Sequence, residues 1–371
     1  MRLGINGWRL RTGTGVARVL NNVLRYWTQE FVGERFSDIT VYSPVELAAD
    51  LPIPAWINRR VVGPDLPMLA WENIVLPVAC RDDVLLCPSY TRPLLTRVKT
   101  VSLIYEATQK LYPEYYPTRA RFINTPLHGW SARHSTRVIT NTEQARADIE
   151  RAYGAPSKRV RVVPLAPAEV FRSDYPAARL AEVRRKYAGA DVPYFLYVGK
   201  LTARRNVPHL LTALSKIRNG GTYPHRLVIV GLNTTQIDIT GMARELGISD
   251  EVKYYPFVAD EDLAPLYSAA EAFVLPYSYE SAASLTLLEA QAAGTAVITA
   301  GTVGLKQAAG DAALFVPDVD PASLAAAMRQ IASNPDIRAE ISKRGSENAA
   351  AYSWRRCSAE VLDICREAAT A

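Results

Sequence analysis

The chain has 371 residues, of which 49% are hydrophobic and 22% charged, with a formal net charge of +6. This length predicts about two domains, and the composition excludes a disordered or fibrous protein. All apolar runs are strand-sized and the first residues enter a strand, so we expect neither a membrane span nor a signal sequence, and a cytoplasmic protein. The basic charge favours an anionic partner; nucleic acid is not predicted, because no nucleic-acid-binding motif is present.

The order of predicted elements indicates an α/β protein. Short β-branched runs alternate with amphipathic stretches, a pattern typical of parallel sheets flanked by helices. The predicted strands are 2–6, 39–42, 84–87, 101–104, 138–140 and 160–163 in the first half, and 194–198, 226–230, 252–255, 272–275, 296–299 and 313–316 in the second. We therefore predict two Rossmann-like domains, 1–165 and 193–352, joined by a linker at 166–192, with a helix over about 353–371 that packs on the first domain.

Cysteine usage gives no indication of a metal or disulfide framework. None of the four cysteines forms a CxxC pair or has histidines at zinc spacing. We interpret Cys80, Cys87, Cys357 and Cys365 as reduced structural thiols.

A glycine-rich loop follows the first predicted strand. Gly13 and Gly15 lie in the segment 11–18, just before a helix, and glycine lets a backbone approach a ligand closely. The segment lacks the third glycine and the later acidic residue of a dinucleotide-binding fingerprint. It therefore fits one wall of a ligand cleft better than an NAD site.

A second loop combines positive charge with a strand-to-helix turn. Gly199 leaves a predicted strand, Lys200, Arg204 and Arg205 follow, and Asn206 is placed to cap the next helix. A diphosphate there could meet a point charge from Lys200, a planar fork from Arg205 and free backbone N–H groups. The alternative is a solvated basic loop, which the position between strand and helix disfavours.

A third segment, 276–294, sets two carboxylates around the start of a short helix. Ser284 is predicted to cap a helix from Leu285 to about residue 293, and Gly294 to end it. Glu280 precedes that helix and Glu289 lies within it. The helix start offers N–H groups to an anion, although an ordinary strand-to-helix turn has the same pattern.

These segments, in this order along almost the whole chain, resemble the retaining glycosyltransferases of family 4. That family has the GT-B architecture, in which two Rossmann-like domains face each other across a cleft. The segments that carry the resemblance are 12–18, 135–164, 197–206, 288–298, 310–314 and 353–354.

The resemblance implies a binding site for a nucleoside diphosphate sugar. Lys200 and Arg205 would neutralise the diphosphate, and Glu289 would accept hydrogen bonds from the ribose hydroxyls. The full set of donor-binding residues that it implies is Gly15, Gly199, Lys200, Arg205, Phe257, Ser281, Ser284, Leu285, Thr286 and Glu289. Phe257 would line the base, and the backbone of Ser284 to Thr286 would face the distal phosphate. Neither a cofactor nor a metal is expected, because fixed cations and a helix start supply the positive charge.

The chain departs from the family pattern on the side of the donor sugar. The family usually has seven residues between two glutamates, whereas eight separate Glu280 from Glu289, so Ser281 stands where the first glutamate is expected. Either the loop shifts Glu280 into the sugar site as a catalytic carboxylate, or Ser281 makes a neutral contact; we favour Glu280. Gln307 also stands where a glutamate is common.

A second departure follows the strand 101–104. The family commonly has a histidine there, whereas this chain has Tyr105 and Glu106. Tyr105 could bond the sugar and Glu106 could orient the acceptor, or Tyr105 could be a buried structural residue. His128 and His134 are interpreted as surface or packing residues.

The resemblance implies that the first domain holds the acceptor, a saccharide or lipid-linked saccharide. Basic and aromatic residues mix in 58–60, 92–99 and 112–122 and at Trp130, which suits an anionic membrane surface. We therefore expect possible peripheral attachment to the inner face of a membrane.

The resemblance implies a retaining hexosyltransferase of surface polysaccharide or glycoconjugate synthesis, with mannose from GDP-mannose as the leading donor. The alternative is a nucleotide-binding partner subunit with little or no activity. A GT-B epimerase or phosphorylase is disfavoured, because neither an epimerase carboxylate set nor a pyridoxal lysine motif is evident.

Overall fold

The structure is a computed structural model that describes residues 1–13, 15–118, 120–218 and 223–371. It divides into two compact units: Met1–Leu165 with Ser353–Ala371, and Ala166–Tyr352. Each contains one parallel sheet with helices, so the predicted fold class, two Rossmann-like α/β domains, is confirmed.

The first unit is built on a seven-stranded sheet. Its strands are β1 (Arg2–Asn6), β2 (Asp38–Ser43), β3 (Asn58–Val61), β4 (Val84–Cys87), β5 (Lys99–Leu103), β6 (Arg137–Thr140) and β7 (Val160–Val162). They pair in parallel in the order β3-β2-β1-β4-β5-β6-β7. The direction of strand succession reverses between β1 and β4, so the carboxyl ends of these strands form the switch point where ligands bind in open α/β sheets.

The helices of the first unit connect these strands. They are α1 (Gly15–Arg25), α2 (Gln29–Gly33), α3 (Met68–Ile74), α4 (Leu76–Ala79), α5 (Thr108–Leu111), α6 (Thr125–His134) and α7 (Glu143–Tyr153). The local sequence sets the bounds of α7: the Thr142 hydroxyl accepts a hydrogen bond from the N–H of Ala145 at 2.9 Å, and Gly154 ends the helix with φ of +67°.

The second unit contains a six-stranded sheet. Its strands are β8 (Tyr194–Val198), β9 (Arg226–Val230), β10 (Val252–Tyr255), β11 (Ala272–Leu275), β12 (Val297–Ala300) and β13 (Leu314–Val316), in the order β10-β9-β8-β11-β12-β13. All neighbours are parallel, and β8 and β11 flank the switch point. The four residues of β11 and the five of β8 are all buried, as expected for a parallel sheet covered on both faces.

Eight helices are described in this second unit. They are α8 (Ala177–Val183), α9 (Val207–Arg218), α10 (Ile239–Glu245), α11 (Asp260–Ser268), α12 (Leu285–Ala292), α13 (Val303–Ala309), α14 (Pro321–Ser333) and α15 (Pro335–Ala350). Residues 166–192, which the sequence assigned to a linker, belong to this unit. They are tied to it by Asp262, which accepts hydrogen bonds from Lys186 and Tyr187 at 2.6 Å each and also pairs with Arg179.

The terminal helix α16 (Trp354–Thr370) packs within the first unit. The indole N–H of Trp27 donates to the carbonyl of Ser358 at 3.1 Å, and the Ser358 hydroxyl donates to the carbonyl of Val23 at 2.7 Å. Because both bonds are buried, they anchor α16 on α1.

All four cysteines are buried and unpaired. Among the residues that the structure describes, no helix has the combined length and apolar character that crossing a bilayer requires.

Candidate functional site

Most predicted site residues lie on two loops at the switch point of the second sheet or in helix α12, which follows the second loop. Gly199 directly follows β8, and Pro276 directly follows β11. Because β8 and β11 are paired neighbours, their parallel alignment brings both loops to the carboxyl edge of the sheet. The structure thus collects residues that are about 80 positions apart in the sequence.

Hydrogen bonds join the two loops into one structure. The N–H of Ser278 donates to the carbonyl of Arg204 at 3.0 Å, and the Arg204 guanidinium donates to the carbonyl of Tyr279 at 2.9 Å. The amide of Asn206 donates to the carbonyl of Pro276 at 2.8 Å and to the Ser278 hydroxyl at 2.6 Å. Asn206, expected as a helix cap, therefore uses its amide to hold the second loop.

Lys200 and Arg205 occupy the first loop as predicted. Arg205 Nη1 donates to the carbonyl of Lys200 at 3.0 Å, and its guanidinium carbon lies 4.7 Å from the centroid of the Tyr277 ring. Its Nε is buried and has no hydrogen-bond partner among the described residues. Lys200 itself is exposed. The loop therefore presents one exposed point charge and one oriented fork with an unused donor.

Glycine is required at the start of this loop. Gly199 has φ of +154°, and a Cβ there would lie 2.7 Å from Arg205 Nη1 and 2.9 Å from Tyr277 Oη. A side chain at this position would push the guanidinium out of place, so the glycine determines how closely Arg205 approaches the backbone.

Glu280 is paired with a cation that sequence reasoning did not assign to it. Arg204 Nη1 lies 3.0 Å from Glu280 Oε2, and the two side chains are only 10% and 7% exposed. The second carboxylate oxygen accepts from the N–H of Ala282 at 3.3 Å. Ser281 is also fully buried. Both candidates for the first-glutamate position are thus inside the loop, and the Glu280 charge is balanced by Arg204.

The helix α12 begins where it was predicted, but Ser284 does not cap it with its side chain. Ser284 occupies the N-cap position with φ of −77° and ψ of 114°, without a capping hydrogen bond. Its hydroxyl pairs with that of Thr286 at 2.9 Å instead. The first N–H groups, of Leu285 and Thr286, lie at a helix start, where intrahelical acceptors are absent. Gly294, with φ of +70°, follows the end of the helix, as predicted.

The two residues expected to contact the nucleoside differ in their exposure to solvent. Glu289 lies within α12, is 1% exposed and accepts a hydrogen bond from Tyr267 Oη at 3.3 Å. Phe257 follows β10, two strands away from β8, and its ring is 72% exposed. The carboxylate of Glu289, predicted to accept hydrogen bonds from the ribose, is therefore buried. The ring of Phe257, predicted to line the base, lies on the surface.

Two predicted site residues belong to the first unit. Gly15 is the first residue of α1, and a Cβ there would meet no described atom within 4 Å; Thr14 of the same loop lies outside the described residues. Tyr105 is 8% exposed and packs edge-to-face on Tyr90 with centroids 5.9 Å apart. Its Oη has no partner among the described residues, and burial raises its pKa well above the usual value. These contacts favour the structural interpretation of Tyr105.

Glu106, His128 and His134 each contact neighbouring side chains of the first unit. Glu106 accepts a hydrogen bond from the Thr108 hydroxyl at 2.6 Å. His128 is buried against Tyr90 at 5.1 Å, and burial lowers its pKa to about 4; the ring of His134 lies 3.4 Å from that of Trp130. Within the described ranges, no group of three or more His, Cys, Asp or Glu side chains is arranged to hold a metal ion.

Comparison with known proteins places these loops in a described family. The family model for "Glycosyl transferases group 1" matches residues 181–348, which contain both loops and α12. The chain is 28% identical over 267 residues to O-antigen chain mannosyltransferase B of Escherichia coli, covering 71% of this chain and 69% of that protein. It is 32% identical over 247 residues to a D-inositol 3-phosphate glycosyltransferase of Saccharomonospora viridis, covering 63% of this chain but only 56% of the relative.

Solved structures share the fold over nearly the full length. The crystal structure of HepE from Anabaena, in complex with UDP and glucose, matches with a TM-score of 0.77 and 14% identity over 98% of each chain. At this identity, the likeness establishes the fold alone.

Proposed function

We propose that the chain is a retaining, metal-independent hexosyltransferase, because residues 181–348 match the family model for group 1 glycosyl transferases and its relatives are glycosyltransferases. It moves a hexose from a nucleoside diphosphate sugar to a saccharide or lipid-linked saccharide. The observation that carries the proposal is the joined pair of loops at the switch point of the second sheet. There Lys200 and Arg205 lie on the same sheet edge as the start of α12.

The main catalytic task is to stabilise the leaving diphosphate. In this chemistry the bond between the anomeric carbon and the phosphate oxygen breaks, and negative charge develops on the diphosphate. Lys200 supplies a point charge, and the unused Nε donor of Arg205 supplies a directed hydrogen bond. The Arg205 guanidinium is held by the carbonyl of Lys200 and the ring of Tyr277, so little reorganisation of this group accompanies charge development, and this is how preorganised sites accelerate reactions. We assign no metal to the site because these groups already provide the positive charge.

The acceptor hydroxyl attacks the anomeric carbon from the face that the diphosphate leaves. The new bond forms between that hydroxyl oxygen and the anomeric carbon, and the hydroxyl proton passes to an oxygen of the departing phosphate. Attack on that face would retain the anomeric configuration, as the family resemblance implies. In this proposal Glu280 lies beside the sugar, and its carboxylate, which is held by Arg204, stabilises the developing positive charge by electrostatic attraction.

The nucleoside contacts extend the same proposal. Glu289 accepts hydrogen bonds from the ribose, and the exposed ring of Phe257 offers a surface on which a base can stack. The burial of Glu289 supports a charge-assisted bond, since a carboxylate hydrogen bond gains strength when water is excluded.

GDP-mannose is the leading donor, and the acceptor is a saccharide of a surface polysaccharide. The relative named O-antigen chain mannosyltransferase B supports both choices. Because HepE forms a complex with UDP and glucose, donors with other bases and sugars are tested as well. A panel that includes GDP-mannose, UDP-glucose and UDP-N-acetylglucosamine therefore tests the donor directly.

Attachment to an anionic membrane surface is a further part of the proposal. In the first unit, a groove of about 570 Å³ is lined by the cations Arg81, Arg97 and Lys99, by the carboxylates of Asp82 and Asp83, and by the exposed side chains of Val78 and Leu95. Cations beside exposed apolar groups suit lipid headgroups. Arg92, from the same predicted basic stretch, is instead buried and donates to the carbonyl of His134.

Vesicle co-sedimentation tests this attachment. Leu95→Ser should reduce the fraction bound to anionic vesicles, while Leu232→Ser, a change at an exposed leucine of the second unit, should not. Equal binding of both variants would reject the groove as the contact.

The alternative, a nucleotide-binding subunit with little activity, is favoured by one observation: the Glu280 carboxylate is neutralised by Arg204. Release of nucleoside diphosphate separates the two functions. The enzyme releases it from one donor, and faster with acceptor; the subunit binds the nucleotide without release under any acceptor condition.

A further inference from the structure

The carboxyl edge of the second sheet carries exposed apolar side chains. Phe257 follows β10, Leu232 follows β9 and Val303 follows β12, and most of each side chain is exposed. They are three of the five large apolar side chains that are exposed among the described residues of the second unit; the other two are Val170 and Ile337. Because ligands bind at this edge of an open α/β sheet, the three side chains are placed to contact one.

The sheet order sets the order of the groups along this edge. From β10 to β12 the edge presents Phe257, Leu232, the cations after β8, Glu280 after β11, and Val303. The proposed function assigns Phe257 to the base and Glu280 to the donor sugar, so Val303 lies on the side of the sugar. Neighbouring strands are about 4.8 Å apart, which places β12 about 10 Å from β8, within reach of a hexose whose diphosphate lies at β8.

Close packing joins the start of α13, where Val303 lies, to the loop that contains Glu280. The hydroxyl of Thr302 donates to the carbonyl of Glu280 at 3.3 Å. Gly304 lies so near the loop that a Cβ there would be 2.5 Å from the carbonyl oxygens of both Glu280 and Ser281. Val303 stands between these two contacts with its side chain 62% exposed, so its isopropyl group is directly beside the proposed sugar site.

The polar side chains of this loop are used or covered. One carboxylate oxygen of Glu280 is paired with Arg204, and the other accepts from the N–H of Ala282 at 3.3 Å. Ser281 is fully buried. A sugar substituent that reaches α13 therefore meets the open side chain of Val303 rather than a polar group of the loop.

The next exposed side chain of α13 is directed away from this loop. Lys306, one turn after Val303, extends over the ring of Phe315, with its Nζ 5.7 Å from the ring centroid. Phe315 belongs to β13, which pairs with β12 on the side away from β11. On the side of Glu280, the start of α13 thus offers a ligand an apolar contact.

We propose that Val303 contacts the C6 methyl group of the donor sugar, which is a 6-deoxyhexose; this rests on the proposed function. A methyl group has no polar atom, so its burial against Val303 removes apolar surface from water and leaves no hydrogen bond unmade. A C6 hydroxyl or an acetamido group in the same place would lose water without gaining a partner. In the mannose series, the 6-deoxy form is therefore preferred to mannose itself.

The experiment compares donors that differ only at C6. Isothermal titration calorimetry measures the affinity of the full chain for three pairs: GDP-mannose and GDP-6-deoxymannose, UDP-glucose and UDP-6-deoxyglucose, and UDP-galactose and UDP-6-deoxygalactose. The wild type should bind the 6-deoxy member of at least one pair about tenfold more tightly. Burial of a methyl group accounts for about fourfold, and the unpaired hydroxyl of the other member for the rest.

Two variants at exposed apolar residues of the same edge form a matched set. Val303→Thr keeps the β-branched shape and replaces a methyl group by a hydroxyl, which can bond a C6 hydroxyl, so the preference should fall to about threefold or less. Leu232→Ser removes an apolar group of similar exposure, 57% against 62%, on the other side of β8, and should leave the tenfold preference intact. Both variants should keep the wild-type melting temperature, because both positions are on the surface.

Three results would overturn the inference: no pair in which the wild type binds the 6-deoxy member more tightly, a tenfold preference that survives in Val303→Thr, or a preference that Leu232→Ser abolishes as well. The proposed function fails differently. Binding of a donor without release of nucleoside diphosphate, whichever saccharide acceptor is added, would reject transfer, while the ratio of affinities within each pair still tests the contact of Val303 with the sugar.

Discussion

The buried ion pair between Arg204 and Glu280 provides the sharpest prediction about how the loops are held. Arg204→Gln leaves the Glu280 carboxylate buried without its cation, and it also weakens the bond to the carbonyl of Tyr279. Breaking one side of a buried pair costs about 3–5 kcal/mol. Solvent screens the pair little, because the two side chains are 10% and 7% exposed. We therefore expect Arg204→Gln to lower the free energy of unfolding by about 3 kcal/mol.

A double-mutant cycle isolates the pair. Glu280→Gln alone should cost less, about 2 kcal/mol, because Arg204 keeps its bond to the carbonyl of Tyr279. The double variant should cost about the same as Arg204→Gln alone, since an amide pair can replace the ion pair, so the coupling is about 2 kcal/mol. Urea unfolding followed by circular dichroism measures all four proteins. Tryptophan fluorescence adds an internal reference, because all six tryptophans are in the first unit. Additive effects, or a cost below about 0.5 kcal/mol for Arg204→Gln, would refute the reasoning.

Three further changes follow from particular side chains. Burial alone raises the pKa of Asp262, but hydrogen bonds from Lys186 and its neighbours outweigh this effect and hold the pKa at about 2. The stability that this group contributes is present above pH 4 and is lost as the pH falls toward 2. Asp262→Asn should therefore flatten the acid side of a plot of urea midpoint against pH. Burial raises the pKa of Glu72 from its ordinary value of 4.5 to about 7 in the folded protein, so the wild-type free energy of unfolding should fall as the pH rises from 4.5 to 7. Glu72→Gln should abolish that fall, and a steeper fall in this variant would contradict the burial of Glu72. Gly199→Ala places a Cβ 2.7 Å from Arg205 Nη1 and should reduce nucleoside diphosphate release at least tenfold, and unchanged release would mean that the guanidinium position is unimportant.

Sequence periodicity predicted most of the sheet because parallel strands buried on both faces consist of apolar, β-branched runs. Strand β3 is not predicted from the sequence, because its residues Asn58 to Val61 are all exposed and largely polar. The pattern of 58–60 indicates a basic surface cluster instead. An edge strand has no apolar run to reveal it, and only pairing with β2 defines it.

The site was predictable in its local parts and not in its long-range contacts. The turn after β8, with Lys200 and Arg205, could be located because charge and glycine occur within a few residues. The partners of Arg204 and Asn206 lie about 70 positions away, so no local pattern contains them. In the first unit, Glu72 and Asn6, which share a buried hydrogen bond, are similarly distant in sequence, and only the sheet order brings a helix and a strand end together.

The central claim, that the loop after β8 neutralises the donor diphosphate, is tested most directly by nucleoside diphosphate release. The purified chain is incubated with each nucleotide sugar, with and without saccharide acceptors, and release is compared for wild type, Lys200→Ala and Arg205→Lys. We expect release from one donor by the wild type and a loss of about a hundredfold or more in each variant, since each removes one interaction with the leaving charge. Release by both variants at the wild-type rate would contradict the account.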